Sequence, residues 1–114
     1  MILKDKYIIV SGGSGILGSA IIDEIKAEGG IAINLDISVK NNVDHCYHFD
    51  LTEENYISKL NQILINYDRI DGLVNAAYPR TDDWGKKPED VTEPSFKVNI
   101  EWQLNSVFFI ILSC

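Results

Sequence analysis

The chain has 114 residues, of which 46% are hydrophobic, so it is long enough for one domain with a packed core and no more. Its formal net charge is −7 and its Lys and Arg residues are scattered, which argues against a nucleic-acid-binding surface and against attachment to an anionic membrane. Its two cysteines and two histidines form neither a CxxC motif nor a plausible zinc-ligand set, so we expect no metal site.

The chain shows no pattern typical of a secretory or membrane segment. Charges in the stretch Met1–Lys6 stand where a signal peptide needs apolar residues. The longest apolar run, Val107–Leu112, is too short to span a bilayer. We therefore expect a cytoplasmic protein.

A glycine-rich segment, Ser11–Gly18, is informative because of its neighbours. The β-branched run Tyr7–Val10 before it predicts a buried parallel strand, and the amphipathic stretch after it predicts a helix that ends before Gly29. The apolar positions of that helix are Leu17, Ala20, Ile21 and Ile25. A strand, a glycine turn and a helix in this order are typical of dinucleotide-binding sites, in which a pyrophosphate lies against backbone N–H groups at the helix N-terminus.

An acidic residue follows where such a site needs one. The run Ile31–Leu35 predicts the second strand, and Asp36 ends it. The spacing from Gly18 to Asp36 is close to the ~20 positions expected in dinucleotide-binding sites. A carboxylate at that position accepts hydrogen bonds from the ribose hydroxyls of the adenosine. A negative charge there would repel a 2′-phosphate and so favours NAD over NADP. The alternative is that Asp36 merely begins a turn.

A third strand and a second helix are predicted next. The strand is predicted at Cys46–Phe49, followed by the pair Asp50–Leu51. Thr52 is the predicted N-cap of the helix, and Glu53 and Glu54 are predicted in its first turn. Its apolar positions are Tyr56, Leu60, Ile63, Leu64 and Tyr67.

The fourth strand is predicted at Ile70–Ala77, and a polar loop follows from Tyr78 to about Val91. The last helix is predicted to begin near Thr92, with a proline in its first turn. The apolar residues on one of its faces are Phe96, Ile100, Leu104, Val107 and Ile111.

Four strands joined by helices or long connections predict an α/β fold with a doubly wound parallel sheet of strand order 3-2-1-4. The ligand crevice of such a sheet lies beyond the carboxyl ends of its first and fourth strands. The residues predicted there are Gly12–Gly18, Asp36, Asp50–Leu51 and Asn75–Ala77. The residues alone therefore predict that positions 1–114 form a nucleotide-binding half-domain of Rossmann type.

Motifs along essentially the whole chain resemble those of the short-chain dehydrogenase/reductase family. Ser11–Gly18 is similar to the cofactor turn of the family, although its glycines follow TGxxGxxG rather than the commoner TGxxxGxG. Asp50–Leu51 resembles the pair that contacts the adenine ring, and Leu73–Tyr78 resembles the LVNNAG segment, with Ala76 and Tyr78 as departures. The cofactor-binding residues that this resemblance and the glycine turn imply are Ser11, Gly12, Ser14, Gly15, Ile16, Gly18, Asp36, Asp50, Leu51, Asn75, Ala76 and Ala77.

The resemblance also implies a reaction, namely NAD-dependent hydride transfer between nicotinamide and a carbinol or carbonyl carbon of a small-molecule substrate. Asn99 matches the catalytic Asn that holds a water in the proton relay of the family; the alternative is that it bonds a backbone carbonyl. The catalytic Ser and the Tyr-x-x-x-Lys pair find no match, since no tyrosine here has a lysine four positions on. We therefore expect this chain by itself to be inactive.

The segment Asn75–Arg80 is similar to an NAYPR stretch in family members linked to sugar-acid and flagellin-glycan biosynthesis. Tyr78 and Arg80 are candidates for the mouth of a substrate site, because an arginine fork suits a carboxylate or phosphate. A surface arginine without a ligand is the other interpretation.

The last helix commonly contributes to the dimer interface in this family, so we expect a homo-oligomer. Trp102 and Phe108 are expected on the apolar stripe of that helix, facing the partner subunit.

Two other functions remain open. The TGxxGxxG spacing is also that of extended family members that act on nucleotide sugars as epimerases or dehydratases, although the strand end Leu73–Ala77 argues against them. The missing Tyr-Lys pair is also compatible with a non-catalytic dinucleotide-binding fragment.

Overall fold

Alternating β-branched runs and amphipathic stretches give a four-stranded parallel sheet with helices on both faces. The structure is a computed structural model that describes all residues from 1 to 114. Its strands are β1 (Tyr7–Ser11), β2 (Ile31–Asp36), β3 (Cys46–His48) and β4 (Gly72–Asn75). Its helices are α1 (Ile16–Ala27), α2 (Tyr56–Leu64), α3 (Glu93–Ile100) and α4 (Ser106–Ser113). A short 3-10 helix spans Pro88–Asp90, and a π-helical turn, Glu101–Asn105, joins α3 to α4.

The strand order is β3-β2-β1-β4 and each neighbouring pair is parallel, so the predicted doubly wound sheet is confirmed. In the central register, Ile9 of β1 lies between Ile33 of β2 and Leu73 of β4. β3 ends at His48, one residue earlier than predicted, and Phe49 beyond it is buried in the core.

β4 spans Gly72–Asn75, two residues shorter at each end than the predicted strand Ile70–Ala77, and at its start a side chain takes over one bond of the ladder. The Tyr7 N–H donates to the Asp71 carboxylate at 2.8 Å, while the Asp71 N–H donates to the Tyr7 carbonyl. The bond from the Tyr7 N–H holds the pKa of the Asp71 carboxyl below its usual range. The Arg69 guanidinium also donates to this carboxylate and lowers its pKa further. Regular pairing therefore starts only at Gly72.

The two faces of the sheet carry separate apolar clusters. On the α1 side the buried residues are Val10, Ile22, Ile25 and Ala32. On the side of α2 and α4 they are Ile9, Ile33, Leu35, Phe49, Leu51, Leu60, Ile63 and Ile110. Because successive residues of a strand point to opposite faces, β1 contributes Ile9 to one cluster and Val10 to the other.

The predicted buried face of α1 is correct only in part. The predicted positions are Leu17, Ala20, Ile21 and Ile25. Ile25 is buried and Ile21 packs half-buried beside it, but Leu17 is 66% exposed and Gly18 and Ile22 are buried in addition. The reason is the contact between Gly18 and the preceding turn, where an ideal Cβ on Gly18 would lie 2.1 Å from the Gly12 carbonyl oxygen. The helix must present this glycine to the turn, and Ile22 and Ile25 follow on the same face.

The predicted N-cap of α2 is also wrong. The Thr52 hydroxyl donates to the Asp50 carboxylate at 2.6 Å, and the Thr52 N–H donates to the same oxygen at 2.9 Å. This local turn uses the hydroxyl as a donor, so it does not cap the helix, which begins at Tyr56. Glu53 and Glu54 consequently lie before the first turn. The buried apolar residues of α2 are Leu60 and Ile63, both of them predicted.

The last helix contains a π-helical turn that the sequence did not predict. Thr92 caps α3 as predicted, and the buried positions of α3 and α4 are Asn99, Ser106 and Ile110. Trp102, which we expected on the outer stripe, instead packs against the larger apolar cluster. A π turn holds one more residue than an α turn, so it rotates the faces that follow it.

The outer side of α3 and α4 carries an apolar stripe that no part of the chain covers. The stripe consists of Phe96, Ile100, Leu104, Phe108 and Ile111, which are between 43% and 64% exposed. Val107, predicted on this face, is half-buried. The outer edge of β4 is unpaired as well. No helix combines the length and apolar character needed to cross a membrane.

We expect the chain to self-associate through the apolar stripe, because exposed apolar surface of this extent is unfavourable in water. Size-exclusion chromatography with light scattering measures the state. Leu104→Asp and Phe108→Asp should shift it towards the monomer, whereas Ile65→Asp, at an 84% exposed position outside the stripe, should not. A monodisperse wild-type monomer would contradict this expectation.

Candidate functional site

The glycine segment closes the carboxyl end of β1 and starts α1. The Gly12 N–H donates to the Leu35 carbonyl at 2.8 Å, and the Gly15 N–H donates to the Gly12 carbonyl at 3.1 Å. Gly15 is the N-cap of α1 and has no side chain to accept a bond from the helix N-terminus. The positive end of the α1 dipole therefore faces the turn without a capping side chain, as an anion-binding helix requires.

Two glycines of the turn are required by contacts within the protein. Gly12 has φ +71°, in the left-handed region, and an ideal Cβ there would lie 2.7 Å from the Ala77 backbone nitrogen. At Gly18 the obstacle is the Gly12 carbonyl oxygen. The bare backbone of Gly12 admits the chain leaving β4, while its contact with a pyrophosphate stays a prediction.

Asp36 is tied to the glycine turn from the end of β2. Its Oδ2 accepts the Ser14 N–H at 3.0 Å, and its Oδ1 accepts the N–H and the hydroxyl of Ser38 at 2.9 and 3.0 Å. Asp36 thus begins a turn, as in the simpler interpretation, and it also faces the glycine segment. A carboxylate has about four lone-pair sites, so one acceptor position remains for a ligand.

The carboxyl ends of β1, β2 and β4 enclose a cleft of about 280 Å³. Most of the predicted cofactor residues line it, namely Ser11, Gly12, Gly15, Asp36, Asp50, Leu51, Ala76 and Ala77. The tertiary structure therefore brings together four segments that are distant in the sequence, as expected for a doubly wound sheet.

The other predicted cofactor residues do not line the cleft. Ser14 contacts Asp36 through its backbone, and Ile16 is 96% exposed at the start of α1. Gly18 lies against the turn, and Asn75 lies beside Ser11, whose hydroxyl is 3.4 Å from the Asn75 side-chain oxygen. Their predicted binding role stays a prediction.

The sequence interpretation missed Asn34. It is buried in the middle of β2, and its amide nitrogen donates to the Ser14 hydroxyl at 3.1 Å, which braces the turn. Its amide oxygen lies on the bare side of Gly13, where an ideal Cβ would be 2.3 Å away. A polar residue within the apolar run Ile31–Leu35 was the signal that could have revealed it.

Asn99 is buried but does not face the cleft. Its amide oxygen accepts the Thr81 N–H at 3.0 Å, and its amide nitrogen donates to the Thr81 hydroxyl at 2.8 Å and to the Ser95 carbonyl at 3.0 Å. The last contact is the backbone-carbonyl bond that the sequence left as the alternative. Its side chain therefore anchors the loop after β4, and its catalytic role stays a prediction.

The loop after β4 forms one wall of the cleft. Tyr78 and Trp84 pack edge to face with centroids 6.1 Å apart, and the Trp84 indole N–H donates to the Tyr78 hydroxyl. Thr81 and the Thr92 N–H both donate to Asp83. The Thr81 hydroxyl in particular holds the pKa of the Asp83 carboxyl below its usual range. The loop is therefore held by side chains and not merely by its ends.

Two curated relatives match the chain, while no family model does. It is 34% identical over 121 aligned positions to sorbitol-6-phosphate 2-dehydrogenase of Klebsiella pneumoniae, with 95% of this chain and 45% of that protein covered. It is 32% identical over 98 positions to post-translational flagellin modification protein A of Campylobacter coli, with 74% and 38% covered. The chain belongs to the short-chain dehydrogenase/reductase family. It spans less than half the length of either relative.

Solved structures agree with the family assignment. A short-chain dehydrogenase of Leptospira borgpetersenii with bound NAD+ matches with a TM-score of 0.76 and 25% identity over 97% of this chain and 45% of that one. An aldohexose dehydrogenase of Thermoplasma acidophilum matches with a TM-score of 0.76 and 26% identity over 95% of this chain and 42% of that one. The chain therefore corresponds to the N-terminal half of a short-chain dehydrogenase/reductase.

We expect Gly18→Val to lower the free energy of unfolding by roughly 1–3 kcal/mol, because its side chain overpacks the contact between α1 and the turn. Thermal or urea unfolding measures the loss. Gly15→Ala is the matched control in the same turn, since an ideal Cβ there lies an ordinary 3.4 Å from the Gly12 oxygen. Unchanged stability of Gly18→Val would show that the close contact at Gly18 is not limiting.

Proposed function

We propose that the chain is the cofactor-binding half of an NAD-dependent oxidoreductase that transfers hydride between nicotinamide and a carbinol or carbonyl carbon. One observation carries the proposal: Asp36, the glycine turn and Asp50–Leu51 line a single cleft at the carboxyl ends of the strands. The dehydrogenase names of the relatives support the reaction class. We further propose a small-molecule substrate, a cytoplasmic location and a homo-oligomer formed through α3 and α4.

The pyrophosphate of the cofactor would bind at the N-terminus of α1. The bare backbone of Gly12 and Gly15 lets phosphate oxygens approach, and the dipole of an uncapped helix favours their negative charge. The adenine ring would lie between Asp50–Leu51 and Ala76, which line the same cleft from opposite strands. This placement fits the predicted roles of these residues.

Asp36 would select the cofactor. One of its acceptor positions is free for a ribose hydroxyl, and its carboxylate repels a 2′-phosphate. Because Asp36 also accepts the Ser14 N–H, it couples ribose recognition to the shape of the phosphate-binding turn. The repulsion between this carboxylate and a 2′-phosphate supports NAD over NADP as the cofactor.

The nicotinamide supplies the hydride chemistry when the cofactor is bound, and the residues of this chain position it. The accompanying proton transfer needs a group whose pKa lies near neutrality, which the family obtains from its Tyr-Lys pair. None of the five tyrosines here is followed by that lysine, and the Asn99 side chain is committed to Thr81. The chain would thus supply cofactor binding without the proton relay.

We expect the chain to bind NADH at least ~10-fold more tightly than NADPH, from one charge-assisted hydrogen bond and the repulsion of the 2′-phosphate. Fluorescence titration with both cofactors measures the ratio. Asp36→Ala should abolish the preference, whereas Asp23→Ala, which removes an exposed carboxylate from α1, should preserve it. Equal affinities in the wild type would refute the role of Asp36.

We also expect no NAD-dependent turnover from the 114-residue chain, since nothing in it can relay the proton. The test follows NADH absorbance with a panel of polyols and the matching carbonyl compounds. NADH binding in the same preparation is the positive control for folding. Measurable turnover would contradict the expectation and would call for another proton donor in the cleft.

A further inference from the structure

We propose that Arg80 is the recognition residue for an oxyanion of the substrate, a phosphate or a carboxylate, at the mouth of the cofactor cleft. The proposal rests on the proposed function in one respect, because it takes the second ligand of the cleft to be the substrate. Arg80 lines the cofactor cleft and also an adjoining cavity, and it is the one basic residue in either lining.

The guanidinium of Arg80 is held in place by Tyr78. It stacks over the Tyr78 ring at 5.5 Å from the centroid, and its Nη1 donates to the Tyr78 carbonyl at 3.2 Å. The ring is itself fixed by the hydrogen bond from Trp84. Nε and Nη2 make no bond within the protein, so one edge of the guanidinium keeps the paired donors that suit an oxyanion.

The backbone on both sides of Arg80 is anchored to the helix after the loop. On one side, the Gln103 amide donates to the Pro79 carbonyl at 3.0 Å. On the other side, Asn99 makes its two bonds to Thr81. An exposed arginine on a loop usually loses much conformational entropy when it binds. These anchors reduce that loss, so the loop is preorganised for a ligand.

The charges around Arg80 leave it without an acidic partner. The two linings otherwise contain only the acidic residues Asp36, Asp50 and Asp82 as charged groups, and none forms an ion pair with Arg80. Asp83 is occupied by Thr81 and Thr92. In the adjoining cavity, the guanidinium is the one positive side chain, so an anion there is attracted to Arg80 and repelled by Asp50 and Asp82.

The position of Arg80 favours the substrate over the cofactor as the source of the oxyanion. The adjoining cavity that it lines shares Asp50 with the cofactor cleft, adds Asp82, Trp84 and Trp102, and contains no residue of the glycine turn. The proposed pyrophosphate site, by contrast, lies at that turn. A ligand in the adjoining cavity would therefore meet Arg80 and two tryptophans, which suits a small polar molecule with one anionic end.

The test is calorimetric or NMR titration of the 114-residue chain with glycerol 3-phosphate, glycerate, glycerol and NAD. Arg80→Ala should lower the affinity for the two anionic probes, glycerol 3-phosphate and glycerate, at least ~10-fold, as expected for a charged hydrogen-bonding pair. The affinity for NAD should not change. Arg80→Lys keeps the charge but loses the fork, so it should recover only part of the affinity. Lys87→Ala, which removes an exposed charge from the same loop, is the matched control and should change nothing.

Each result decides the proposal. Anionic probes that fail to bind the wild type, or that bind Arg80→Ala equally well, would overturn it, as would binding of glycerol as tight as that of glycerol 3-phosphate. An equal loss of NAD affinity in Arg80→Ala would assign the residue to the cofactor pyrophosphate and overturn the substrate assignment. Failure of NAD to bind any variant would refute the proposed function, whereas the response of the anionic probes would still decide the role of Arg80.

Discussion

The close contact between Gly18 and the Gly12 carbonyl fixes the position of α1 on the sheet. A Cβ at Gly18 would overlap that oxygen, so the helix can reach this depth only with a bare backbone at the contact. The rotation of α1 follows from this contact, and so does the burial of Ile22 and Ile25. The helix N-terminus thereby points at the cleft. Because Gly12 is also packed against Ala77, the same turn sets the path of the chain after β4.

The polar residues of the glycine turn and of β2 are joined to one another by hydrogen bonds. The Asn34 side chain donates to the Ser14 hydroxyl, and the Asp36 carboxylate accepts the Ser14 backbone N–H. Hydrogen bonds from two different positions of β2 therefore define the shape of the glycine turn in the absence of a ligand. Such preorganisation reduces the conformational entropy that is lost when a ligand binds at the turn.

The loop after β4 is organised from the opposite side, by α3 and the π-helical turn. Asn99 and Gln103 project from these segments and hold Thr81 and Pro79. The π turn also rotates α4, which buries Ile110 and leaves Phe108 outside. The π-helical turn therefore separates two surfaces of this helical segment. One surface holds the loop beside the cleft, and the other is the apolar stripe that no part of this chain covers.

The sequence by itself determined the strand order, the glycine turn and the segments that meet at the cleft, because these depend on local periodicity and on the geometry of parallel sheets. It could not determine which face of α1 is buried, since that depends on the contact between Gly18 and the Gly12 oxygen, two atoms brought together only by the turn. Thr52 shows the same limit: its hydroxyl can cap a helix or donate to Asp50, and the folded turn decides between them. Where a side chain has two possible hydrogen-bond partners of similar local energy, only the tertiary structure decides which bond forms.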